Sequence, residues 1–180
     1  LEGESLHRRL RRQGPFSAEE TRRIACSVLE ALVEAHSFGI VHRDIKPSNV
    51  FLCRFAGTRD FVKVLDFGIA KAPSRDLTAH GWLVGTPAYM APEQATASPH
   101  VDERADLYAL GVVAYELLTG KTPFDRPTAQ AMLTAQVLEA PVSLAERRPD
   151  VSPALAAVVM RCLAKAPEDR FQSATELGRH

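Results

Sequence analysis

The chain has 180 residues, 46% hydrophobic and 24% charged, with 22 basic against 22 acidic side chains. That is an ordinary soluble globular composition, long enough for one sizeable core, and the zero net charge removes any global reason to expect nucleic acid or an acidic membrane as partner. Cys26, Cys53 and Cys162 are odd in number, far apart and without zinc-ligand or redox spacing, so they read as buried structural thiols in a reducing, cytoplasmic setting.

No repeat, low-complexity tract or linker divides the sequence, so it reads as one unit. Residues 4–12 predict a short basic amphipathic helix, ended by Gly14-Pro15. Ser17-Ala18-Glu19-Glu20 is a capping-box pattern and opens a long helix. Within it Ile24, Ala25, Val28, Leu29 and Leu32 fall at helical spacing on a core-facing stripe, and Gly39 supplies a left-handed stop. Three strand-like pieces follow at 40–41, 50–52 and 62–65, with a turn at Ala56-Gly57-Thr58. Residues 69–90 read as an extended loop. From Glu103 to Thr119 a helix with almost no polar face is expected, buried on all sides and ended by Gly120. Further helices are expected at about 127–139 and 153–164, and a last one from Ser173. The fold class is therefore α+β, mainly α.

No apolar run approaches the roughly 18–20 residues that span a bilayer, and no N-terminal signal pattern is present. The chain starts at Leu1 rather than Met and ends at His180 inside an apparent helix. Both ends read as cuts, so a longer polypeptide is expected, with any membrane anchor outside residues 1–180.

The densest chemistry lies in His42-Arg43-Asp44-Ile45-Lys46-Pro47-Ser48-Asn49. An Asp, a Lys two places on and an Asn five places on can converge on one phosphoryl group. The Asp can accept a hydroxyl proton, the Lys can neutralise phosphate charge and the Asn oxygen can hold a metal. The bland alternative is an acidic surface turn with a stray Lys. Downstream stand Asp66-Phe67-Gly68 and Ala91-Pro92-Glu93.

In this order and at these separations the three blocks resemble the protein kinase family. The resemblance covers essentially the whole chain and is to the large C-terminal lobe of the catalytic domain, from the hinge edge at Leu1 to the start of the last helix. It implies that Asp44 orients or deprotonates the acceptor hydroxyl and that Lys46, a mark of Ser/Thr kinases, offsets charge on the transferring phosphate. It also implies that Asn49 and Asp66 hold Mg²⁺, whose preferred ligands are oxygens. Leu1, Lys46, Ser48, Asn49, Phe51 and Asp66 are the expected ATP contacts, with Phe51 standing at the adenine floor where Leu or Met is commoner. Phe67, Gly68 and His42 are expected to be structural. Arg43 implies regulation through phosphate on the activation loop, with Thr78, eight residues before Thr86, as the favoured autophosphorylation site and Ser74 as the weaker one. An unmodified solvated loop is the alternative.

The same resemblance predicts that Thr86 bonds Asp44 and Lys46, that Glu93 pairs with Arg170, and that Asp106 receives backbone amides of the catalytic loop. Ile40–Leu52, Val64–Lys71 and Leu118–Phe124 are worded most like bacterial Ser/Thr kinases. Expected partners are ATP and proteins with Ser/Thr acceptors, with self-association for autophosphorylation. No Gly-x-Gly-x-x-Gly occurs, and Gly3, Gly14, Gly39 and Gly57 are the glycines that precede Asp66. The phosphate-covering loop of a kinase is thus missing from these residues, and the 180-residue chain alone is expected to be inactive. Two rivals stand beside the enzyme: a non-catalytic kinase-like interaction module and a small-molecule phosphotransferase.

Overall fold

A computed structural model describes residues 2–55, 58–67 and 86–180. The expectations placed on Leu1, Gly68, Ser74 and Thr78, and on the turn at 56–57, lie outside the described residues.

The chain enters as a short strand, β1 (Gly3–Ser5), and turns directly into α1 (Leu6–Gln13), whose first turn is capped by the Ser5 hydroxyl accepting from the Arg8 amide. The predicted helix over 4–12 is thus corrected at its start. Glu4 belongs to a sheet ladder, and its carboxylate is occupied by Arg9 and Arg12. Leu6 and Leu10 face the core while the arginines cover the outside.

Helix α2 (Ala18–Ser37) opens with both halves of the Ser17–Glu20 capping box in place. Ile24, Val28, Leu29 and Leu32 are buried, and Ala25 packs beside them. At its end Gly39 is left-handed (φ 72°), its amide reaching the His36 carbonyl while that of Ile40 reaches Ala35. This is a Schellman closure.

Residues 40–41 are not a strand. The Ile40 amide closes α2 and the His42 amide is taken by Asp106, so no run of free donors is left for a ladder. The sheet has three antiparallel strands in the order β1–β2–β3, with β2 (Val50–Phe55) between β1 and β3 (Thr58–Val64). Val50 and Leu52 point into the core. Phe51, of opposite parity, stands half-buried on the other face of the sheet.

After the one-turn helix α3 (Pro92–Ala95) comes the central helix α4 (Arg104–Thr119), ended by left-handed Gly120 (φ 75°). One face of α4 (Leu107, Leu110, Val113, Leu117) packs with α1, α2 and the sheet. Its opposite face (Tyr108, Val112, Tyr115, Leu118) builds a second cluster with the helices that follow. Two cores meeting on one helix explain why it has no polar face. At Gly111 an added Cβ would lie 2.6 Å from the Cβ of Cys162, so α4 and the chain at Cys162 approach almost backbone to backbone.

The remainder is α5 (Ala129–Leu138), one-turn α6 (Leu144–Arg147), α7 (Pro153–Cys162) and short α8 (Ala174–Leu177). Hydroxyl caps from Thr128, Ser152 and Ser173 start α5, α7 and α8. Mostly helices around one small sheet is the α+β, mainly α, class expected. Burial pushes the Cys162 thiol up to about 12, which makes it an inert packing group. Among the described residues no helix is long and apolar enough to cross a membrane.

Candidate active site

The loop between α2 and β2 is held from beneath by one buried carboxylate. Asp106, fully buried on the first turn of α4, accepts the backbone amides of His42 and Arg43, both at 2.8 Å, and the ring N–H of His36 at 2.9 Å. Arg43 thereby stands at φ 62°, a left-handed conformation costly for a residue with a long side chain. His42 is fully buried with both ring nitrogens in use: Nδ1 accepts from the Asp44 amide at 3.2 Å, and Nε2 donates to the Leu65 carbonyl at 2.9 Å. Its ring also packs on Phe67, centroids 4.7 Å apart. An imidazole so engaged is a brace, not a free base.

The loop then turns through a 3₁₀ segment, Pro47–Asn49, that brings its polar ends together. Lys46 Nζ lies 3.0 Å from the Asp44 carboxylate and 3.4 Å from the Thr86 hydroxyl. Asn49 Nδ2 donates to the Asp44 carbonyl at 2.9 Å and to its carboxylate at 3.2 Å. Asp44, Lys46, Asn49 and Thr86 therefore form one cluster, and the Lys46 bond expected of Thr86 is present. Asn49 is buried, and its side-chain oxygen, Oδ1, accepts no hydrogen bond among the described residues. Ser48 is exposed on the same turn.

Asp66 joins through the backbone. The Leu65 amide donates to the Asn49 carbonyl at 2.8 Å while the Leu65 carbonyl accepts from His42, which fixes the chain one residue before Asp66. Asp66 is exposed and left-handed (φ 56°). Among the described residues no three His, Cys, Asp or Glu side chains gather into a metal cluster. Two protein oxygens, from Asn49 and Asp66, suit an ion such as Mg²⁺ that completes its shell with phosphate and water.

The segment carrying Thr86 is pinned at three further points that sequence reading missed. Gln94 accepts the Ala91 amide at 3.0 Å and donates to the Arg43 carbonyl at 3.1 Å. The Tyr89 hydroxyl donates to Glu116 at 2.6 Å. Burial drives both of these groups up, the Tyr89 hydroxyl beyond any accessible titration and the Glu116 carboxyl above the usual carboxylate range. Gln136 on α5 donates to the carbonyls of Ala88 (2.6 Å) and Pro87 (3.3 Å). Apart from the Gln94–Ala91 bond, three positions apart, each pair is separated by 27 to 51 positions, so no local spacing links them.

Beyond the cluster, Glu93 and Arg170 meet as expected. The pair is bidentate at 2.7 and 2.8 Å, and Arg170 also donates to the carbonyls of Ala164, Arg104 and Lys165.

The chain as a whole has known counterparts. The family model for the protein kinase domain matches residues 1–180. The chain belongs to the protein kinase family. The serine/threonine-protein kinase pkn3 of Myxococcus xanthus is 45% identical over 179 residues, covering 96% of this chain and 32% of that protein. Pkn1 of the same organism is 51% identical over 161 residues, covering 88% and 23%. PknB of Mycolicibacterium smegmatis is 38% identical over 180 residues, covering 98% and 28%. Among solved structures a double mutant of the PknI kinase domain of Mycobacterium tuberculosis is similar, with a TM-score of 0.73 at 30% identity. The match covers 99% of this chain and 60% of that one. The chain thus spans about a quarter to a third of the length of the curated relatives named here, and its wording is that of the bacterial Ser/Thr branch of the kinase family.

Proposed function

We propose that residues 1–180 are the C-terminal lobe portion of an ATP- and Mg²⁺-dependent protein Ser/Thr kinase, transferring the γ-phosphate of ATP to protein hydroxyls. The observation that carries this reading is Lys46 Nζ lying between the Asp44 carboxylate and the Thr86 hydroxyl, with Asn49 locked onto the same Asp. Phosphoryl transfer asks mainly for positioning and charge stabilisation, and that cluster supplies both.

In this mechanism the acceptor hydroxyl is held at Asp44, which takes its proton as the oxygen bonds to the γ-phosphorus and the bond to the ADP oxygen breaks. Lys46 offsets the negative charge on the phosphoryl oxygens. Asn49 and Asp66 would hold Mg²⁺, which would supply neutralisation of phosphate charge there. Ser48 and Phe51 are assigned to the nucleotide side, together with Leu1. Arg43 is assigned to phosphate on the activation loop, with Thr78 as its source, and Thr86 to the acceptor segment. Kinase names among the relatives support the enzyme over a docking module, as does the presence of every catalytic letter of this lobe.

The test is transfer of labelled phosphate from ATP to a Ser/Thr protein acceptor by the full-length protein. Asp44→Asn should lower the rate by at least about 10²-fold, the usual range for a general base, and chelation of Mg²⁺ should abolish it. Equal activity of Asp44→Asn, or transfer to small metabolites instead of proteins, defeats the reading. We propose further that the 180-residue chain alone has no useful activity, because no Gly-x-Gly-x-x-Gly loop lies within it. Robust ATP turnover by the purified chain would refute that.

A further inference from the structure

Gln136 is a fully buried primary amide on α5, whose other glutamine, Gln130, is exposed. Burying an amide is unfavourable unless its groups are bonded, and here they are bonded outward, toward the candidate site. Its Nε2 donates to the carbonyls of Ala88 and Pro87, inside the short 3₁₀ turn Pro87–Tyr89 that follows Thr86. Its Oε1 accepts from the Tyr108 hydroxyl at 2.5 Å, which fixes the rotamer of the amide.

The backbone of the same residue is held from a third direction. Lys165 Nζ donates to the Gln136 carbonyl at 2.6 Å, and lies 3.4 Å from both the Ala135 carbonyl and the Tyr108 hydroxyl. The ammonium also stacks over Phe124, 4.4 Å from the ring centre. A cation at the last turn of a helix meets the negative end of its dipole, so Lys165 fastens α5 where Gln136 leaves it.

A continuous chain of polar contacts therefore runs from Lys165 and Tyr108 through Gln136 to Ala88. From there the backbone leads to Thr86, and Thr86 leads to Lys46 and Asp44. The two carbonyls Gln136 holds lie one and two residues beyond Thr86, in the segment that meets the acceptor.

We propose that Gln136 is a positioning residue for the protein acceptor, its side-chain amide tying α5 to the 86–90 segment so that the seating of α5 sets where the acceptor docks. The inference rests on the kinase reading above and deepens it. In that reading none of residues 86–90 is an ATP contact, and Lys46, which is one, meets the segment only at 3.4 Å through Thr86, so Gln136 bears first on the acceptor. An apolar side chain of the same size keeps the packing and loses the tie. A carboxylate in its place keeps the Tyr108 contact and sets an oxygen against two carbonyl oxygens.

The test uses the full-length protein with a Ser/Thr peptide acceptor. Gln136→Leu and Gln136→Glu should each raise the acceptor KM by about tenfold, since a displacement near 1 Å can cost up to about 10²-fold. The KM for ATP and the acceptor-independent ATP hydrolysis should stay within about twofold of wild type, because the segment lies outside the nucleotide contacts. A purely structural role would move the ATP parameters and the melting temperature along with the acceptor KM, and that pattern overturns the proposal. So does an acceptor KM that Gln136→Leu leaves unchanged. Where neither Gln136 variant folds, Tyr108→Phe decides: it removes the hydroxyl that orients the amide and should raise the acceptor KM about threefold, and no rise overturns the proposal. A wild-type protein that phosphorylates no protein or peptide would instead bring down the kinase reading, a failure seen before any variant is made.

Discussion

Removing Glu93 should test a deeply buried ion pair, that between Glu93 and Arg170. Arg170 is fully buried and all five of its N–H groups are used, two on Glu93 and three on the carbonyls of Ala164, Arg104 and Lys165. Glu93→Gln keeps the shape and one acceptor oxygen but leaves the guanidinium without a counter-charge. Breaking a buried pair from one side costs about 3–5 kcal/mol, because the surviving charge cannot reach water. Against a typical total stability of about 5–15 kcal/mol, that is a large fraction. With a urea slope of about 2 kcal/mol/M, the unfolding midpoint should fall by about 1.5–2.5 M. The double variant Glu93→Gln/Arg170→Met should be less destabilised than the two single changes summed, since Met removes the stranded charge. Its residual cost comes from three carbonyls that lose their donor, at about 1–3 kcal/mol each where water cannot enter. A midpoint shift below about 0.5 M for Glu93→Gln, under the same slope, would refute the idea that this pair fastens α3 to the far end of the chain.

Three other outcomes are expected. Asp106→Asn offers one acceptor oxygen to three N–H groups, so it should cost about 1–3 kcal/mol per orphaned donor and lower kcat of the full-length protein, and an unchanged kcat counts against Asp106 as the anchor of the loop. Gly111→Ala should lower the melting temperature in a circular-dichroism melt. Its gain of about 1 kcal/mol in helix propensity is outweighed by about 1–3 kcal/mol of overpacking against Cys162; a higher Tm would mean that α4 and α7 can part. Lys165 is held down to about 8 from its ordinary 10.5, by burial first and by Arg170 second, with Glu139 opposing. The unfolded chain keeps this proton to higher pH than the folded one, so its penalty is constant below pH 8 and fades between 8 and 10.5. Stability should therefore rise with pH across that window more in wild type than in Lys165→Met. Identical pH slopes in urea melts of the two proteins would reject the assignment.

What the sequence made legible is what short spacing encodes. Asp44, Lys46 and Asn49 stand within six residues, so one turn of chain brings them together. Capping signals at Ser17, Gly39 and Gly120 marked helix ends because they act locally. Ile40–Val41 misled because two β-branched residues read as a strand, while the adjacent amides were claimed by a helix end and by Asp106, the latter 64 residues away in sequence. Strand β1 is three residues long and has no periodicity to read, and the one-turn helices α3 and α6 are equally short. Gln94, Glu116 and Gln136 were invisible because a polar residue inside a helical pattern gives no sign of which distant group it meets.

Arg43 and Asp66 both stand in left-handed backbone (φ 62° and 56°), where Gly or Asn would rest more easily. Each such residue stores of order 1–3 kcal/mol of strain. A laboratory lineage selected on heat resistance alone would therefore tend to replace these two positions early, and would gain robustness by discarding the letters on which the proposed chemistry depends. Screens for hardier variants of this chain need an activity gate from the first round.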